Sequence, residues 1–345
     1  MATDTQREET STPPQPETER TRLLVRPLNW LETKSEEVYA YILLAPAFLL
    51  LGVVAFYPLI ETFRFSLLAD EVAAADPFGE FVGLDNYTEL LTGNANIPRQ
   101  FLDLGVSGAF PFIEFGSPFL RQALLVTLAF AILSVIFETL IGFGQALVID
   151  QEFYGRRWVR VAIIIPWAIP IVIQAMIFYL MFNPTIGFGS DFMQWLGIFG
   201  SNPLASGRDS FIIVLVADIW KTAAFMALLI LAGLQSIDRS LYDVARVSGA
   251  SPWQRFKYIT LPLVMPALLV AMLFRTMDAM RIYGLIDATA GCETVPSLTC
   301  LVILSLQDSR RWATAAAVAF LTAIVIGLMV IGYLWGLRDS EGVMT

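Results

Sequence analysis

Six long apolar runs, separated by shorter polar segments, dominate the pattern of hydrophobic and polar positions along this chain. Each run is close to the roughly 20 residues that an α-helix needs to cross a bilayer. The pattern therefore predicts an all-α integral membrane protein with six transmembrane helices. The runs lie near residues 40–63, 121–149, 159–182, 210–235, 262–286 and 313–337.

The beginning of the chain has a different character. Residues 1–20 are rich in Thr, Glu, Pro and Gln and have no apolar period, which is typical of a disordered tail. Basic residues with interleaved apolar ones follow, and they predict either a short interfacial helix or a basic linker. We therefore divide the chain into residues 1–36, a tail with an interfacial helix, and residues 37–345, the transmembrane domain.

The composition supports a membrane protein and excludes several kinds of chemistry. Charged residues make up 15% of the 345 residues, against roughly 25% in soluble domains. The chain has no histidine, and its two cysteines cannot build a zinc site alone. It contains no phosphate-binding loop for a nucleotide and no HExxH or GxSxG motif. We expect no enzymatic activity, no metal site and no nucleic-acid partner.

Basic residues in the flanks of the runs predict how the chain is oriented, because Lys and Arg concentrate on the cytoplasmic side. With both termini inside, thirteen of the 22 Lys and Arg residues fall on the cytoplasmic side. Six fall outside, and three lie within the predicted spans. This bias predicts cytoplasmic termini and a cytoplasmic location for the polar segment 236–262, which we call the coupling loop.

The first half of the coupling loop carries the signals of a short capped helix. Ser240, with Asp243 three residues later, predicts the start of the helix. Gly249 predicts its end, as a left-handed residue that follows the last turn. The helix has one small, mostly apolar face, formed by Leu241, Val244, Ala245 and Ser248.

The second half predicts another helix that runs toward the membrane. Ser251 is placed to cap it, with Pro252 at the first helical position and Gln254 at the third. Pro262 is expected to limit how far this helix continues.

These spacings resemble the cytoplasmic coupling loop of ABC-importer permeases. In that family an acidic residue and two alanines precede a glycine, and an Ile-x-Leu-Pro string follows; here they correspond to Asp243–Ala245, Gly249 and Ile259–Pro262. Asp243, Val244 and Ser248 replace the usual Glu, Ala and Asp. The resemblance implies docking on an ATPase subunit through Leu241, Tyr242, Asp243, Val244, Ala245, Arg246 and Gly249.

Three further strings resemble the carbohydrate branch of the same family. Residues 81–87, FVGLDNY, look like a string that follows the first span of sugar-type permeases. The Pro-Trp-x-x-Pro string at 166–170 resembles maltose-type permeases, and residues 275–281 resemble trehalose-type permeases. The two prolines, Pro166 and Pro170, can also break or kink the third span.

The resemblance implies the fold and the working parts of a type I ABC-importer permease of the maltose/trehalose type. It implies a heterodimer with a second permease subunit, two ATPase subunits that bind ATP and Mg, and an extracytoplasmic sugar-binding protein. The implied function is alternating-access import of a sugar, such as a disaccharide, across the cell membrane. Two alternatives stay open: a permease of the same family for a polyol or glycerol phosphodiester, and an ion-coupled carrier that works alone.

Charges and aromatic side chains inside the predicted spans are the candidates for a substrate path, because such charges usually face a cavity or a partner. The spacing places Arg275, Asp278 and Arg281 on one helix face, with one carboxylate between two guanidinium groups. Asp218 and Lys221 can pair in the same way. An ion-pair row that holds helices or a second permease together remains an alternative, as does ordinary packing of the aromatic residues. The candidates are Asp218, Trp220, Lys221, Phe225, Arg275, Asp278 and Arg281.

Two smaller features complete the prediction. Glu138 is a lone carboxylate in the second span, and we interpret it as a hydrogen-bonded structural acid. Cys292 and Cys300 fall in the last outside loop, where an oxidising compartment permits a disulfide.

Overall fold

The computed structural model describes residues 36–74, 76–106, 113–115 and 119–342. Apart from Glu36, the tail and the interfacial helix predicted for residues 1–36 lie outside the described residues. The chain divides into two units, Met1–Glu61 and Thr62–Thr345. In the first unit, helix α1 (Glu36–Leu51) passes through a π-helical turn into α2 (Tyr57–Ser66), which ends in the second unit.

The second unit is mainly helical, with two small hairpins near its start. Strands β1 (Leu68–Asp70) and β2 (Phe78–Phe81) pair antiparallel, as do β3 (Leu104–Val106) and β4 (Ile113–Phe115). The helices are α3 (Asp85–Thr92), α4 (Ala123–Asp150), α5 (Arg156–Ala168), α6 (Ile171–Phe182), α7 (Phe188–Trp195), α8 (Gly207–Gln235), α9 (Arg239–Val247), α10 (Pro252–Arg255), α11 (Leu261–Ala279), α12 (Gly284–Thr289), α13 (Leu298–Gln307) and α14 (Trp312–Gly342).

The predicted all-α class with six apolar spans is confirmed, with one of the spans broken. Within the described residues, five helical stretches are long and apolar enough to cross a membrane. Helices α5 and α6 make a sixth span if they are taken together, although they meet at an angle of 91°. The five stretches are Ala40–Ser66, Ala123–Asp150, Gly207–Gln235, Pro252–Ala279 and Trp312–Gly336.

The break in the third span lies where the two prolines predicted it. Pro166 is inside α5, Ile169 has an extended backbone, and Pro170 is the residue that precedes the first turn of α6. A proline lacks the backbone N–H that would continue the helical ladder, and its ring clashes with the preceding turn. The chain therefore changes direction at this point.

Small residues let the central helices pack closely. A Cβ atom on Gly142 of α4 would lie 2.7 Å from Cβ of Met226 in α8. A Cβ atom on Gly233 of α8 would lie 2.6 Å from Cβ of Ala267 in α11. Helices in membranes associate through such close contacts between small residues, so α8 is held between α4 and α11.

The fifth span differs from its prediction of 262–286. The helix that begins at Pro252 continues through a π-helical turn, Phe256–Thr260, and ends at Ala279. Pro262 does not stop it, because in the π turn the N–H of Leu261 bonds to the carbonyl of Phe256 instead of to the nearer carbonyl. The wider turn accommodates the proline.

The string at residues 81–87 mainly holds the first hairpin in place. Nδ2 of Asn86 donates to the carbonyls of Ser66 and Leu68, at 2.8 Å each. The hydroxyl of Tyr87 lies 2.5 Å from that of Ser66. Asn86 and Tyr87 are buried, whereas Phe81 at the start of the string is exposed. The end of the string, Asn86 and Tyr87, is therefore structural.

Candidate functional site

The coupling loop forms a short helix with both ends capped, although its N-terminal cap differs from the prediction. Asp238, and not Ser240, caps α9, since its carboxylate accepts a hydrogen bond of 2.9 Å from the N–H of Ser240. This bond holds the pKa of Asp238 below its usual value. Asp243 is not part of a capping box; its carboxylate lies 3.6 Å from the guanidinium of Arg246.

The C-terminal end of α9 has the geometry that Gly249 predicts. Gly249 has a φ angle of +82°. Its N–H bonds to the carbonyl of Arg246, and the N–H of Ala250 bonds to that of Ala245. This pair of bonds is the Schellman motif, which needs a left-handed residue after the helix. The chain thus turns sharply without leaving these helix-end carbonyls unpaired.

The second helix starts with a complete capping box. The N–H of Gln254 donates to Oγ of Ser251, and the N–H of Ser251 donates to Oε1 of Gln254 at 2.7 Å. Because the same helix continues into α11, α9 is joined by one tight turn to a transmembrane span.

Side-chain contacts fix α9 against the ends of the spans. Arg239 forms an ion pair of 2.8 Å with Asp150, at the end of α4. The hydroxyl of Tyr242 lies 3.0 Å from that of Thr260, in the π turn that precedes α11. Tyr242 therefore points toward the spans, not away from them.

The opposite side of α9 is apolar and exposed. Leu241 and Val244 are exposed, and Val247 is 91% exposed. Ala245 is half-buried, and Gly249 is exposed. An apolar patch of this kind on a capped helix is typical of a contact surface for another protein. Val247 was not among the predicted docking residues, although its spacing of three from Val244 places it near the same face.

Inside the spans, a buried guanidinium joins three helices. Arg275 of α11 is only 2% exposed. Its Nε and Nη2 donate to the two carboxylate oxygens of Glu138 in α4, and Nη2 also contacts Oδ2 of Asp218 in α8. The hydroxyl of Thr222 donates to Glu138 at 2.6 Å. Glu138 is completely buried, as a structural acid would be.

The same guanidinium also reaches an exposed carboxylate. Nη1 of Arg275 donates to Oδ2 of Asp278 at 3.1 Å. The side chain of Asp278 is 71% exposed. Asp278 therefore lies at the edge of the buried cluster, where one of its oxygens is held by Arg275.

Two pairings expected from spacing are not found. Asp218 pairs with Arg275 across helices, and Lys221 is half-buried with no ion-pair partner among the described residues. Arg281 does not complete a row with Asp278, because α11 ends at Ala279. Arg281 is exposed beyond that end, and its Nε donates to the carbonyl of Met277.

The two aromatic candidates lie in contacts with other rings. The ring of Trp220 is 5.9 Å from that of Phe178 in α6, and Trp220 is partly exposed. The ring of Phe225 stacks on Trp167, with 6.2 Å between ring centres. Trp167 belongs to the string around the break in the third span, so the break brings an aromatic side chain against α8.

Cys292, in the segment that follows α12, is joined in a disulfide to Cys300 of α13. Within the part of the chain that the structure describes, no group of three His, Cys, Asp or Glu side chains could hold a metal ion.

Comparison with known proteins decides the family. Residues 138–336 match the family of binding-protein-dependent transport system inner membrane components. The chain belongs to this family. It is a multi-pass membrane permease, and it carries the type I ABC-importer permease fold that the coupling loop predicted.

Relatives of this permease include transporters named for disaccharides. It is 33% identical to the trehalose/maltose transport system permease protein MalF of Thermococcus litoralis, over 87% of this chain and 93% of the relative. It is 34% identical to the trehalose transport system permease protein SugA of Mycobacterium tuberculosis, over 74% of each chain. The family assignment argues against an ion-coupled carrier that works alone.

The fold is also similar to a permease in a solved structure. The crystal structure of a bacterial ABC transporter that imports the acidic polysaccharide alginate contains a chain with a TM-score of 0.68. It shares 22% identity with this permease and covers 93% of this chain and 99% of that chain.

The permease contains buried ion pairs that local spacing in the sequence did not predict. Glu138 and Asp218 lie in different spans, and no local spacing connects them to Arg275. One signal was available: two carboxylates and one arginine in separate apolar runs are costly unless they meet. That signal predicts a pairing, but it does not identify the partners.

Proposed function

We propose that this permease is the membrane subunit of an ATP-driven importer that moves a sugar into the cytoplasm. Its termini and coupling loop lie in the cytoplasm, and its disulfide lies outside. The other parts of the assembly are a second permease, two ATPase subunits that bind ATP and Mg, and an extracytoplasmic sugar-binding protein. The names of the two disaccharide permeases that it resembles support a sugar of the trehalose or maltose type.

The exposed apolar face of α9 is the observation that carries this proposal. Val247 and its neighbours form a contact surface on a helix whose ends are both capped and whose other side is tied to Asp150 and Thr260. A rigid element of this kind moves as one body with the span to which it is joined, so a displacement of the element also displaces the span. Motion of an ATPase against α9 would therefore move the helix that starts at Pro252 and, with it, the span α11.

The solute path is proposed to run past Asp278. Its carboxylate has one oxygen held by Arg275 and is otherwise exposed, so it can accept hydrogen bonds from sugar hydroxyls. Trp220, partly exposed on α8, can cover the apolar C–H face of a sugar ring. Closure of the two ATPase subunits around ATP would open this path to the outside, and ATP hydrolysis would reopen it to the inside.

A second candidate solute is a polyol derivative with an anion, such as a glycerol phosphodiester. Lys221 supports it, because a half-buried cation without an ion-pair partner among the described residues favours a negative charge nearby. Arg281, exposed at the end of α11, adds a second cation. The two candidates differ in which labelled solute the assembly takes up and in which unlabelled solute inhibits that uptake.

The test uses vesicles that contain the assembly co-purified with the full-length permease. They should accumulate labelled trehalose or maltose only when ATP is supplied on the α9 side. Val247→Asp should abolish ATP-dependent accumulation, because it would place a charge in the apolar face proposed to contact the ATPase, while Val247→Ala should keep most of it. Uptake without ATP, or normal uptake by Val247→Asp, would contradict the proposal. ATP-dependent uptake of labelled glycerophosphodiester that an excess of unlabelled disaccharide does not reduce would favour the second candidate.

A further inference from the structure

Helix α7, in the connection between the third and fourth spans, has three distinct faces. Gly189 and Ser190 are buried, and Met193 packs against the core. On another side, Asp191 and Gln194 are exposed polar residues. The third side is apolar and exposed, and it consists of Phe188, Phe192 and Trp195.

The apolar face of α7 is larger than an isolated exposed side chain. Trp195 is 79% exposed, and its ring stacks on that of Phe192, with 6.2 Å between ring centres. Ile186 before the helix and Leu196 and Ile198 after it are exposed as well. A contiguous apolar surface of this kind marks contact with a membrane or with another protein.

Close contacts fix the position of α7 at the end of the third span. A Cβ atom on Gly187 would lie 2.3 Å from the carbonyl oxygen of Met181, and one on Gly189 would lie 2.9 Å from the same atom. Only glycine therefore fits at Gly187 without a shift of the backbone. Because Met181 belongs to the last turn of α6, the start of α7 folds directly over the point where the span ends.

We propose that α7 lies in the membrane–water interface, with Phe188, Phe192 and Trp195 in the lipid and Asp191 and Gln194 in the water. Aromatic residues concentrate at this depth of a bilayer, and a helix with adjacent apolar and polar faces lies along the surface. The start of α7 packs on the last turn of α6, and α6 itself exposes apolar side chains that include Val172, Ile173, Met176 and Leu180. A face that directly follows a span with an apolar exterior favours lipid as the occupant over a separate docked protein.

The charge of the connection indicates which lipids are needed. From Asn183 to Ser206, Asp191 is the only charged residue. Without Lys or Arg, attraction to anionic headgroups cannot contribute, so the anchor depends on buried apolar area alone. The outer end of the broken span is thus held at the membrane surface, and neutral phospholipid is sufficient to hold it.

The experiment places a nitroxide spin label on each face of α7 in the full-length permease, with its co-purified subunits, in phosphatidylcholine vesicles. The variants are Phe192→Cys, Gln194→Cys and Met193→Cys, labelled without reductant; the chain without an added cysteine gives the background. Collision rates are measured with oxygen, which partitions into lipid, and with a water-soluble nickel chelate.

We expect the label at 192 to collide mainly with oxygen, the label at 194 mainly with the nickel chelate, and the label at 193 weakly with both. Added phosphatidylglycerol should leave the depth of the label at 192 unchanged. A label at 192 that is shielded from both reagents would show that a protein covers this face, and the proposal would be wrong. Preference for the nickel chelate at 192, or insertion only with phosphatidylglycerol, would also overturn it.

Discussion

Arg275 and Glu138, on two different transmembrane helices, form a two-point hydrogen-bonded ion pair that solvent barely reaches. Asp218 contacts the same guanidinium from a third helix. An unpaired charge in a membrane interior is costly, and removing one partner of a buried pair leaves the others uncompensated. The cluster therefore constrains how α4, α8 and α11 can move relative to one another.

Replacing Arg275 by Met should destabilise the permease by about 3–5 kcal/mol, since it leaves Glu138 and Asp218 buried without a cation. Thermal unfolding in detergent and abundance in the membrane measure this loss. The triple variant Glu138→Gln, Asp218→Asn, Arg275→Met should recover much of the stability, because no bare charge remains. A triple variant as unstable as the single one would contradict the explanation.

Asp278→Asn should have a different effect, because this side chain is exposed. We expect normal abundance and a half-saturation concentration for the solute raised about tenfold, the effect of losing one hydrogen bond to a charged group. Uptake measured over a range of solute concentrations gives this value. Asp308→Asn, at an exposed carboxylate after α13, is the control and should change nothing. Equal effects of both substitutions would argue against a role for Asp278 in the path.

Gly249→Val should uncouple ATP hydrolysis from uptake. A β-branched residue resists the left-handed backbone found here, and the strain costs about 1–2 kcal/mol. Solute transported per ATP hydrolysed is the measurement. Gly249→Asn is the matched control, since Asn adopts this conformation more readily, and it should keep most of the coupling. If the valine variant stays fully coupled, the turn does not have to be rigid.

Asp70→Ala should loosen the N-terminal end of the last span. The carboxylate of Asp70 accepts hydrogen bonds from the N–H groups of Ala313 and Thr314 and from the hydroxyl of Thr314. It thus acts as a cap supplied from a distant hairpin, and losing a cap costs about 1 kcal/mol. Thermal unfolding should show a lower midpoint. Glu80→Ala, at an exposed position in the same hairpin, should leave the midpoint in place.

Cys292 and Cys300 should resist thiol reagents in the native permease. A membrane-impermeant maleimide should label neither cysteine before reduction and both after reduction and mild unfolding. Because the disulfide joins the segment that follows α12 to α13, reduction should also lower the thermal midpoint. Two thiols that react before reduction would show that the bond is absent from the protein.

Local spacing in the sequence determined much of this permease. Apolar runs of span length predicted the membrane helices, because a bilayer imposes the length of the segments that cross it. Pro166 and Pro170 predicted the broken span, and Gly249 predicted the end of α9, because each residue restricts or permits backbone angles of its own segment. The candidate surface of α9 could also be predicted, because Leu241, Val244 and Ala245 recur at helical spacing within one segment.

Only the tertiary structure decided where the side chains meet. Asp218 pairs with Arg275 instead of Lys221, because contacts between helices depend on how the helices pack and not on spacing along one of them. Pro262 lies inside a helix because a π turn before it rearranges the hydrogen bonds. Asp70 caps a helix that begins more than two hundred residues later. Such long-range contacts have no local pattern, so they appear only when the whole chain has folded.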